Sequence, residues 1–558
     1  MNPSSLLATG LFLGLAAPGL FAQGLVATVN DPLSHGQPND SFLSLDEAIR
    51  VANGTLSMAS LSAAEQAQIT GTGMNVLTIR VMAMNTPTIT LQAPLTDVMG
   101  GGMMAGRLTI MGMGSAMVPR PTLLGGTETH ILALRTHLVT VMGMRFDGGQ
   151  VAVDAQTPAM MGMPMTEMAR LMNCELDGQT TAGVHLHGSG GDESMLMTMN
   201  SRLSNMPVGY RLDDQTTGTG MVMSENEFIT MDNVTLGADV QDDGNGVMSM
   251  FMLFRSQYAQ GQTLARMRRT ASSANQFMFR IVHTDAVCTG DVLDLQGTAN
   301  GLTMLHHHHG DFTAGAGGKT VWTYPRTAVF DVHGSEMVFH GDVYISGNVF
   351  SPRVWQQNNR YVNGTITYDC DGALPNLLWN VYENSQLVVP SSARSPVTVR
   401  SSELYNTTVD CQSLFAATAV NGSYRVGGAV TGFATENTPA PSQFLGTATI
   451  GPVDPQIGGT LQLHADMPYG IGCFWDFAFS YSRPTTTAEP FRFYGDPATA
   501  IVLPGMVVFQ STTNVPLPNN SALVGLELYV QPVTIPLLGQ SWVPTFHLPR
   551  GALVRPRM

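Results

Sequence analysis

Short apolar strands recur along the chain and are separated by turn-forming glycine, asparagine and aspartate. The apolar centres of successive units recur at a nearly constant interval, at Phe146, Leu176, Leu203, Phe228, Phe254 and Phe279. Such a period is typical of solenoids, in which each unit buries its apolar face only by stacking on its neighbours. The spacing therefore predicts stacked coils of β-strand.

Individual segments support this prediction over residues 76–435. Segments rich in β-branched or aromatic side chains and flanked by polar turns are 76–79, 108–110, 328–332 and 343–350. Such segments fit the coils of a parallel β-helix, where the strands of successive coils pair above and below.

The stretch from Ser44 to Gly54 predicts a helix before the coils. Ser44 can cap its N-terminus, Glu47 completes a capping box, and Gly54 ends the helix. One apolar stripe is formed by Leu45, Ala48, Ile49 and Ala52. We expect this amphipathic helix to cover the open end of the solenoid, whose first strand edges would otherwise recruit other chains.

The same stretch carries a family resemblance. Residues 44–49, Ser-Leu-Asp-Glu-Ala-Ile, with Asn53 four residues on, resemble the cap that opens many secreted right-handed parallel β-helix proteins. These include polymorphic outer-membrane and adhesin-like proteins, in a fold shared with the pectate-lyase-like superfamily. Asp46 stands where the cap usually has arginine. The resemblance implies an all-β, right-handed parallel β-helix with an N-terminal capping helix.

The pattern changes after residues 439–455, which are rich in proline and glycine and are predicted to form a linker. The strands beyond are longer and alternate in polarity, which predicts a small antiparallel β-sandwich. Residues 517–531 resemble a module at the C-termini of many secreted bacterial proteins, which implies an extracellular accessory domain. The predicted organisation is a signal peptide (1–22), a capped β-helix (23–438), the linker (439–455) and the sandwich (456–558).

The composition of the chain limits where the protein is expected to be located and which partners it is expected to bind. The apolar, small-residue run from Leu6 to Ala22 predicts an export signal, so we expect a secreted or cell-surface protein. No other apolar segment is long enough to span a membrane as a helix. The net charge is −15 and no basic patch is visible, which argues against a nucleic-acid partner.

Five cysteines occur without any Cys-x-x-Cys motif, which argues against a cysteine zinc site. Cys370 and Cys411 stand in similar contexts, Thr-Tyr-Asp-Cys and Thr-Val-Asp-Cys. In an exported protein these two are the predicted disulfide, and the alternative is that all five cysteines are buried thiols.

Two residue types are candidates for metal binding. In a strand, His306 and His308 would share one face, and with Asp311 they could bind zinc or copper; a second histidine pair lies at residues 185–187. The alternative is an exposed histidine-rich turn without a ligand. Among the 36 methionines, clusters over residues 99–144 and 160–172 could hold Cu(I) or could simply fill gaps in the core.

Enzymes with the resembled fold act on acidic polysaccharides, through clustered aspartates in hydrolases or through an arginine or lysine base with Ca²⁺ in lyases. The resemblance therefore implies candidate catalytic residues, which are Lys319, Arg326, Asp331, Asp242 and Asp243. The hydrolase signatures Asn-Thr-Asp, Gly-His-Gly and Arg-Ile-Lys do not appear in the expected order. Paired aspartates also fit a solvated turn.

Lys319 is the only lysine of the chain and follows a glycine-rich loop, and Trp322 and Tyr324 after it could stack on a sugar ring. We therefore expect an exported, non-catalytic β-helix with a structural, adhesive or glycan-binding role, whose partner is a polysaccharide or a cell-surface glycan. The alternative is a polysaccharide lyase or glycoside hydrolase. No cofactor is indicated, and Ca²⁺ enters only with the lyase alternative.

Overall fold

The computed structural model describes most of the chain up to Asn437 and separate segments beyond it. The described residues are 24–35, 40–73, 75–99, 107–114, 119–157, 168–270, 276–349, 354–372, 375–378, 380–400, 402–421, 423–437, 448–451, 456–465, 473–480, 501–502, 512–523, 528–536, 545–546 and 553–554. The predicted signal peptide lies outside them. So do several methionines of the two clusters, namely Met103, Met104, Met117, Met160, Met161, Met163 and Met165.

The described residues are almost entirely strand, and the fold is an all-β, parallel β-solenoid, as predicted. The helices are α1 (Leu45–Ala52), α2 (Ala63–Gln66) and two 3₁₀ turns, Met58–Ser60 and Ser521–Leu523. The strands up to Thr216 are β1 (Leu25–Val29), β2 (Ile69–Gly71), β3 (Val76–Met82), β4 (Thr88–Thr90), β5 (Leu108–Met113), β6 (Thr122–Gly125), β7 (Leu132–Leu134), β8 (Val139–Met142), β9 (Arg145–Gly148), β10 (Val151–Ala155), β11 (Ala169–Met172), β12 (Glu175–Asp177), β13 (Ala182–Gly190), β14 (Glu193–Met199) and β15 (Arg202–Thr216).

The strands from Met221 to Asn437 are β16 (Met221–Glu227), β17 (Thr230–Asp242), β18 (Met248–Phe254), β19 (Gln257–Gly261), β20 (Thr263–Arg269), β21 (Gln276–Val282), β22 (Asp285–Cys288), β23 (Leu293–Gln296), β24 (Leu302–Thr313), β25 (Lys319–Tyr324), β26 (Val329–His340), β27 (Asp342–Val349), β28 (Val354–Gln357), β29 (Arg360–Val362), β30 (Thr365–Gly372), β31 (Pro375–Leu378), β32 (Val381–Glu383), β33 (Gln386–Val389), β34 (Thr398–Arg400), β35 (Glu403–Tyr405), β36 (Thr408–Cys411), β37 (Thr418–Asn421), β38 (Tyr424–Val426), β39 (Val430–Gly432) and β40 (Ala434–Asn437).

By its internal contacts the chain divides into two compact units. Unit 1 comprises residues 1–188 and 192–207, and unit 2 comprises residues 189–191 and 208–558. In each unit a coil contains up to three strands, and equivalent strands of successive coils pair in parallel to form three columns. In unit 2 the first column includes β16, β18 and β21, the second β19 and β22, and the third β20, β23 and β25.

Along each strand, successive side chains point alternately into the interior of the coil and towards its surface. In β21, Phe277, Phe279 and Ile281 are buried, whereas the residues between them are partly or fully exposed. Phe279 pairs with Phe251 of the preceding coil, and the ring centroids are 5.1 Å apart. Each such aromatic side chain contributes about 1.5–3 kcal/mol through removal of its surface from water. The stacked interior therefore stabilises each coil only through its neighbours.

The predicted repeat register is confirmed in unit 1. Phe146, Leu176 and Leu203 are aligned partners in successive coils of the second column. From Phe228 onward the predicted register is wrong. Phe228 lies in a turn with a φ of 55°, and Phe279 aligns with Phe251 rather than with Phe254. The error arises because all three columns share one period, so spacing alone does not reveal a change of column.

The coils of unit 2 become shorter along the chain. Phe312 aligns with Phe339, Phe339 with Tyr361 and Tyr361 with Tyr382, so the second and third intervals in sequence are shorter than the first. The four rings form one buried stack with centroid separations of 6.1, 5.1 and 4.9 Å. The aromatic interior is therefore continuous across the change in coil length.

The turns after first-column strands repeat one backbone conformation. A left-handed residue ends this column at Asn173 and Asn200 in unit 1. The same positive φ occurs in the second unit at Phe228, Arg255, His283, His309, Glu336 and Asn358. Asparagine adopts this conformation readily, whereas other side chains are strained there. In the second unit the His283 and His309 rings of neighbouring turns stack, with centroids 4.4 Å apart.

Helix α1 forms as the sequence predicts. The Ser44 hydroxyl accepts a hydrogen bond from the Glu47 amide at 3.2 Å, and the Glu47 carboxylate accepts one from the Ser44 amide at 3.0 Å. Asp46, at the position usually held by arginine, is buried and accepts a hydrogen bond from the Thr96 amide. The apolar side of the helix contacts β1 and β3. Its role as the cap of the solenoid stays a prediction.

The C-terminal strands pair antiparallel in two sheets. Strands β41 (Ala448–Gly451), β42 (Thr460–Ala465) and β45 (Thr512–Pro516) form one sheet. The other contains β43 (Cys473–Ser480), β44 (Ile501–Val502), β46 (Leu528–Pro536), β47 (Thr545–Phe546) and β48 (Leu553–Val554). The predicted linker thus contains a strand, β41, which pairs with β42. The predicted β-sandwich stays a prediction.

The predicted disulfide between Cys370 and Cys411 is absent. Both cysteines are buried free thiols, as are Cys174 and Cys288, while the side chain of Cys473 lies outside the described residues. Cys370 is on β30 and Cys411 on β36, and β33 lies between these strands. Two strand spacings separate them by about 9.5 Å, which exceeds the reach of about 7 Å that a disulfide allows between Cα atoms.

Among the described residues, no helix combines the length and the apolar character needed to cross a membrane.

Candidate functional site

Aromatic side chains project from the third column of unit 2. In β25, Val321 and Thr323 are buried, and Trp322 and Tyr324 alternate with them on the outer side. The Trp322 and Tyr324 rings lie 4.6 Å apart with an interplanar angle of 35°. The ammonium nitrogen of Lys319 lies 4.3 Å from the Trp322 ring centroid, within the range of a cation–π contact. The three residues that the sequence groups here are therefore brought together.

The two coils before β25 supply charged groups to the same surface, Asp294 from β23 and Arg268 from β20. Asp294 aligns with Trp322, and its carboxylate accepts a hydrogen bond of 2.6 Å from Arg268. The Arg268 guanidinium lies 5.8 Å from the Tyr324 ring centroid. Burial, together with the Asp294 carboxylate, raises the pKa of Tyr324 to about 12, so this phenol stays protonated and can donate a hydrogen bond.

The coils after β25 continue the surface. Tyr344 aligns with Trp322, and its hydroxyl donates to Asp369 at 3.2 Å. Arg326 lies 3.6 Å from Asp369 and also forms an ion pair with Asp371. Burial and the neighbouring Asp369 raise the pKa of Tyr344. We call the surface formed by Trp322, Tyr324, Tyr344, Arg268, Asp294 and Asp369 the aromatic face.

An open polar pocket lies on the next coils of the third column. Lys319 aligns with Asp342, the first residue of β27, which begins the pocket wall. The pocket is lined by Asp342, Asn363, Gly364, Thr365, Asn384, Ser385, Gln386 and Asn406. Its asparagines occupy successive turns, and the Asn406 amide donates to the Asn384 side-chain oxygen at 3.1 Å. Amide and carboxylate groups in this arrangement can hydrogen-bond ligand hydroxyls.

The residues predicted to be catalytic do not form one cluster. Lys319 and Arg326 are at the third column, whereas Asp331 is on β26 in the first column. Asp242 ends β17, three coils before β25, and its side chain is fully buried against Arg269. A carboxylate without solvent access cannot exchange protons with a polysaccharide.

Asp243 follows the end of β17 and is hydrogen-bonded by the Thr270 hydroxyl. Two further aspartates of the same region also have local partners: Asp239 pairs with Arg266, and Asp214 accepts hydrogen bonds from the Thr216 amide and hydroxyl. These carboxylates therefore serve local contacts within the coils.

The residues of the predicted metal set, His306, His308 and Asp311, lie in three different environments. His306 and His308 do share the outer face of β24, but His308 lies 2.7 Å from the Ser335 hydroxyl. Asp311 belongs to the second-column part of β24 and lies beside His340, at 3.6 Å. His306 instead meets Asp331 and His333 of the next coil, and potential ligand atoms of the three residues lie within 4.8 Å of one another.

The other two histidines of the run have different environments. His307 points inward and is fully buried, with its ring 5.6 Å from that of Phe339, and burial lowers its pKa to about 3. His309 is at the left-handed turn, where its ring lies beside the Glu336 carboxylate and burial lowers its pKa to about 4. The alternation of inward-facing and outward-facing side chains that is expected for a strand therefore ends at His308.

A second histidine cluster lies on unit 1. His185 and His187 of β13 approach Asp154 of β10 at 3.2 and 3.3 Å, and Arg135 donates to the same carboxylate at 2.7 Å. Burial alone would raise the pKa of Asp154, but hydrogen bonds from the two histidines and Arg135 hold it well below its usual range. The His-Leu-His spacing indicated two members of this cluster, and only the coil register supplies Asp154.

The methionines that the structure describes have mixed environments. Met144 and Met168 are buried, which fits the gap-filling alternative, whereas Met99 and Met113 are exposed.

No protein-family model matches the chain, and neither the curated proteins nor the solved structures contain a match.

Proposed function

We propose that the protein is an exported, non-catalytic β-solenoid that binds a polysaccharide or cell-surface glycan along the aromatic face. The observation that carries the proposal is the group of three aromatic rings, Trp322 and Tyr324 on one coil and Tyr344 on the next, with charged side chains around them and an amide-lined pocket beside them. Aromatic rings stack on the apolar faces of sugars, and amides and carboxylates bind their hydroxyls.

Export is part of this proposal and rests on the apolar run from Leu6 to Ala22. Membership of the secreted right-handed β-helix proteins rests on the cap-like residues 44–53 and on the parallel coils. Both features fit a protein that displays an extended surface outside the cell.

The direction of binding follows from the register. Asp294, Trp322 and Tyr344 are aligned partners on three consecutive coils, so they form a row along the stacking direction. Strands of successive coils are about 4.8 Å apart. The length of one monosaccharide unit is similar to this spacing, so one unit extends over about one coil. A glycan chain lying along the column would meet an aromatic or charged side chain at each coil.

The enzyme alternative receives less support from the same contacts. Lys319 is the residue most suited to act as a base, but its ammonium group lies against Trp322, and Asp331 is in another column. We therefore propose binding rather than cleavage.

The test uses the purified full-length chain and a panel of neutral and acidic polysaccharides in affinity gel electrophoresis, followed by calorimetry. We expect at least one glycan to bind, and Trp322→Ala to weaken that binding about tenfold, equivalent to about 1.4 kcal/mol. The matched control is Phe415→Ala, which removes an exposed aromatic ring elsewhere in unit 2 and should leave binding unchanged.

Three results would overturn the proposal. The first is equal binding by the wild type and Trp322→Ala, and the second is no binding to any glycan of the panel. The third is the appearance of the ultraviolet absorbance of unsaturated uronates during incubation with polyuronates, because this product shows lyase activity.

A further inference from the structure

We infer that His306, Asp331 and His333 form a binding site for a divalent transition-metal ion of the zinc type on the first column of unit 2. The inference starts from the register. His306 of β24 aligns with His333 of β26, and Met304 aligns with Asp331. Register partners on adjacent parallel strands are about 4.8 Å apart, and residues two apart on one strand share a face. The three side chains therefore converge on one patch.

The donor atoms are close to coordination geometry. Asp331 Oδ1 and His333 Nε2 are 2.9 Å apart, and the His306 and His333 ring centroids are 4.9 Å apart. Metal–ligand bonds of about 2.0–2.1 Å in a tetrahedron place ligand atoms about 3.3 Å apart. Because the most distant pair lies within 4.8 Å, side-chain rotations that move these atoms by about 1.5 Å complete the site.

One donor atom of the cluster is also withdrawn from solvent. His306 Nε2 is buried and has no hydrogen-bond partner among the residues that the structure describes. A buried polar atom without a partner is unfavourable by about 1–3 kcal/mol. Coordination to a metal ion would satisfy this nitrogen without any change in the backbone.

Two imidazoles and one carboxylate suit zinc and copper, and they leave a fourth position for water or for a ligand atom. The nearest aligned cation is Arg280, the register partner of His306 on β21. Its guanidinium lies 5.6 Å from the Phe254 ring centroid. Within the described part of the chain, His333 is the only basic side chain that lies within ion-pair distance of Asp331, so no arginine or lysine competes with a metal ion for this carboxylate.

The unit 1 cluster of Asp154, His185 and His187 offers an internal comparison. It has the same residue types and the same two-coil arrangement, but Arg135 donates to the carboxylate at 2.7 Å. A metal ion would have to displace this guanidinium. We therefore assign the higher affinity to His306, Asp331 and His333.

The experiment measures metal binding by the full chain, prepared without a polyhistidine tag and treated with a chelator. Zn²⁺ is titrated by calorimetry, and Co²⁺ is added separately because tetrahedral Co²⁺ gives intense visible absorption. We expect one tight site in the wild type. His306→Ala, His333→Ala and Asp331→Asn should each raise the Zn²⁺ Kd at least about tenfold and should abolish the Co²⁺ bands.

The controls separate this site from the other histidines. His308→Ala, from the same run of histidines, and His185→Ala, from unit 1, should keep the tight site and the Co²⁺ bands. His333→Gln provides a second, less disruptive variant, and thermal melting of each variant establishes that it is folded. Wild-type affinity in folded His306→Ala and His333→Gln overturns the inference. Loss of the tight site in His308→Ala or His185→Ala, or the absence of a tight site in the wild type, overturns it equally.

Discussion

The buried ion pair of Asp242 and Arg269 leads to a sharp prediction about stability. The two residues are aligned on β17 and β20, and both side chains are fully excluded from solvent. Arg269 donates to the Asp242 carboxylate at 2.5 Å and to the Thr303 hydroxyl at 3.1 Å. Asp242→Ala would leave the guanidinium buried without its counter-charge. We expect this change to lower the free energy of unfolding by about 3–5 kcal/mol.

The same two strands supply a matched control. Asp239 aligns with Arg266 three residues earlier and accepts two hydrogen bonds from it, at 3.1 and 2.9 Å. The Arg266 side chain is 41% exposed, so water can solvate the guanidinium once the carboxylate is removed. Asp239→Ala should therefore cost about 1 kcal/mol or less. The two variants differ in burial and not in residue type, strand or register.

The measurement is urea unfolding of the full-length chain, followed by far-ultraviolet circular dichroism. A double variant, Asp242→Leu with Arg269→Met, removes both charges and should recover most of the stability that Asp242→Ala loses, because apolar side chains of similar size replace a buried pair well. Equal losses in Asp242→Ala and Asp239→Ala would refute the reasoning. So would a double variant no more stable than the single one.

Two further predictions concern the first helix and the cysteines. Leu45→Asp or Ile49→Asp should destabilise the protein by several kcal/mol and promote aggregation, because each places a carboxylate at a fully buried position; unchanged melting and a monomeric elution profile would contradict this. In a Cys473→Ser background, Cys174 and Cys288 of the native protein should not react with a thiol reagent at pH 8. Burial raises the thiol pKa of Cys174 to about 11 and of Cys288 to about 12, which leaves thiolate fractions of about one in a thousand or less. Labelling of either thiol before unfolding would contradict this.

Local signals in the sequence were sufficient for several elements. The Ser44 and Glu47 pair predicts α1 because a capping box involves only residues three apart. The grouping of Lys319, Trp322 and Tyr324 is also correct, since alternation along one strand fixes which side chains share a face. These features depend on contacts within one helix or one strand, which neighbouring residues determine.

Features that depend on alignment between coils were harder to predict. Asp331 joins His306 from the next coil, whereas the sequence suggests a carboxylate close to the histidine run, Asp311. The resemblance groups Asp242 with Lys319 as candidate catalytic residues, although the strand of Asp242 lies three coils before that of Lys319. In both cases the missing information is the number of residues per coil. The lengths of the turns determine this number, and it changes along unit 2.

Because the coils of unit 2 become shorter along the chain, the length that each residue adds to the stack increases. Every coil advances the stack by one strand spacing of about 4.8 Å, whatever the length of polypeptide that it contains. The longer coils therefore advance about 0.18 Å per residue and the shorter ones about 0.22 Å. The coils after His340 thus extend the stack about a quarter further for the same amount of polypeptide. A lineage that gains or loses one such coil would change the length of the stack in single steps, with the interior stacking preserved.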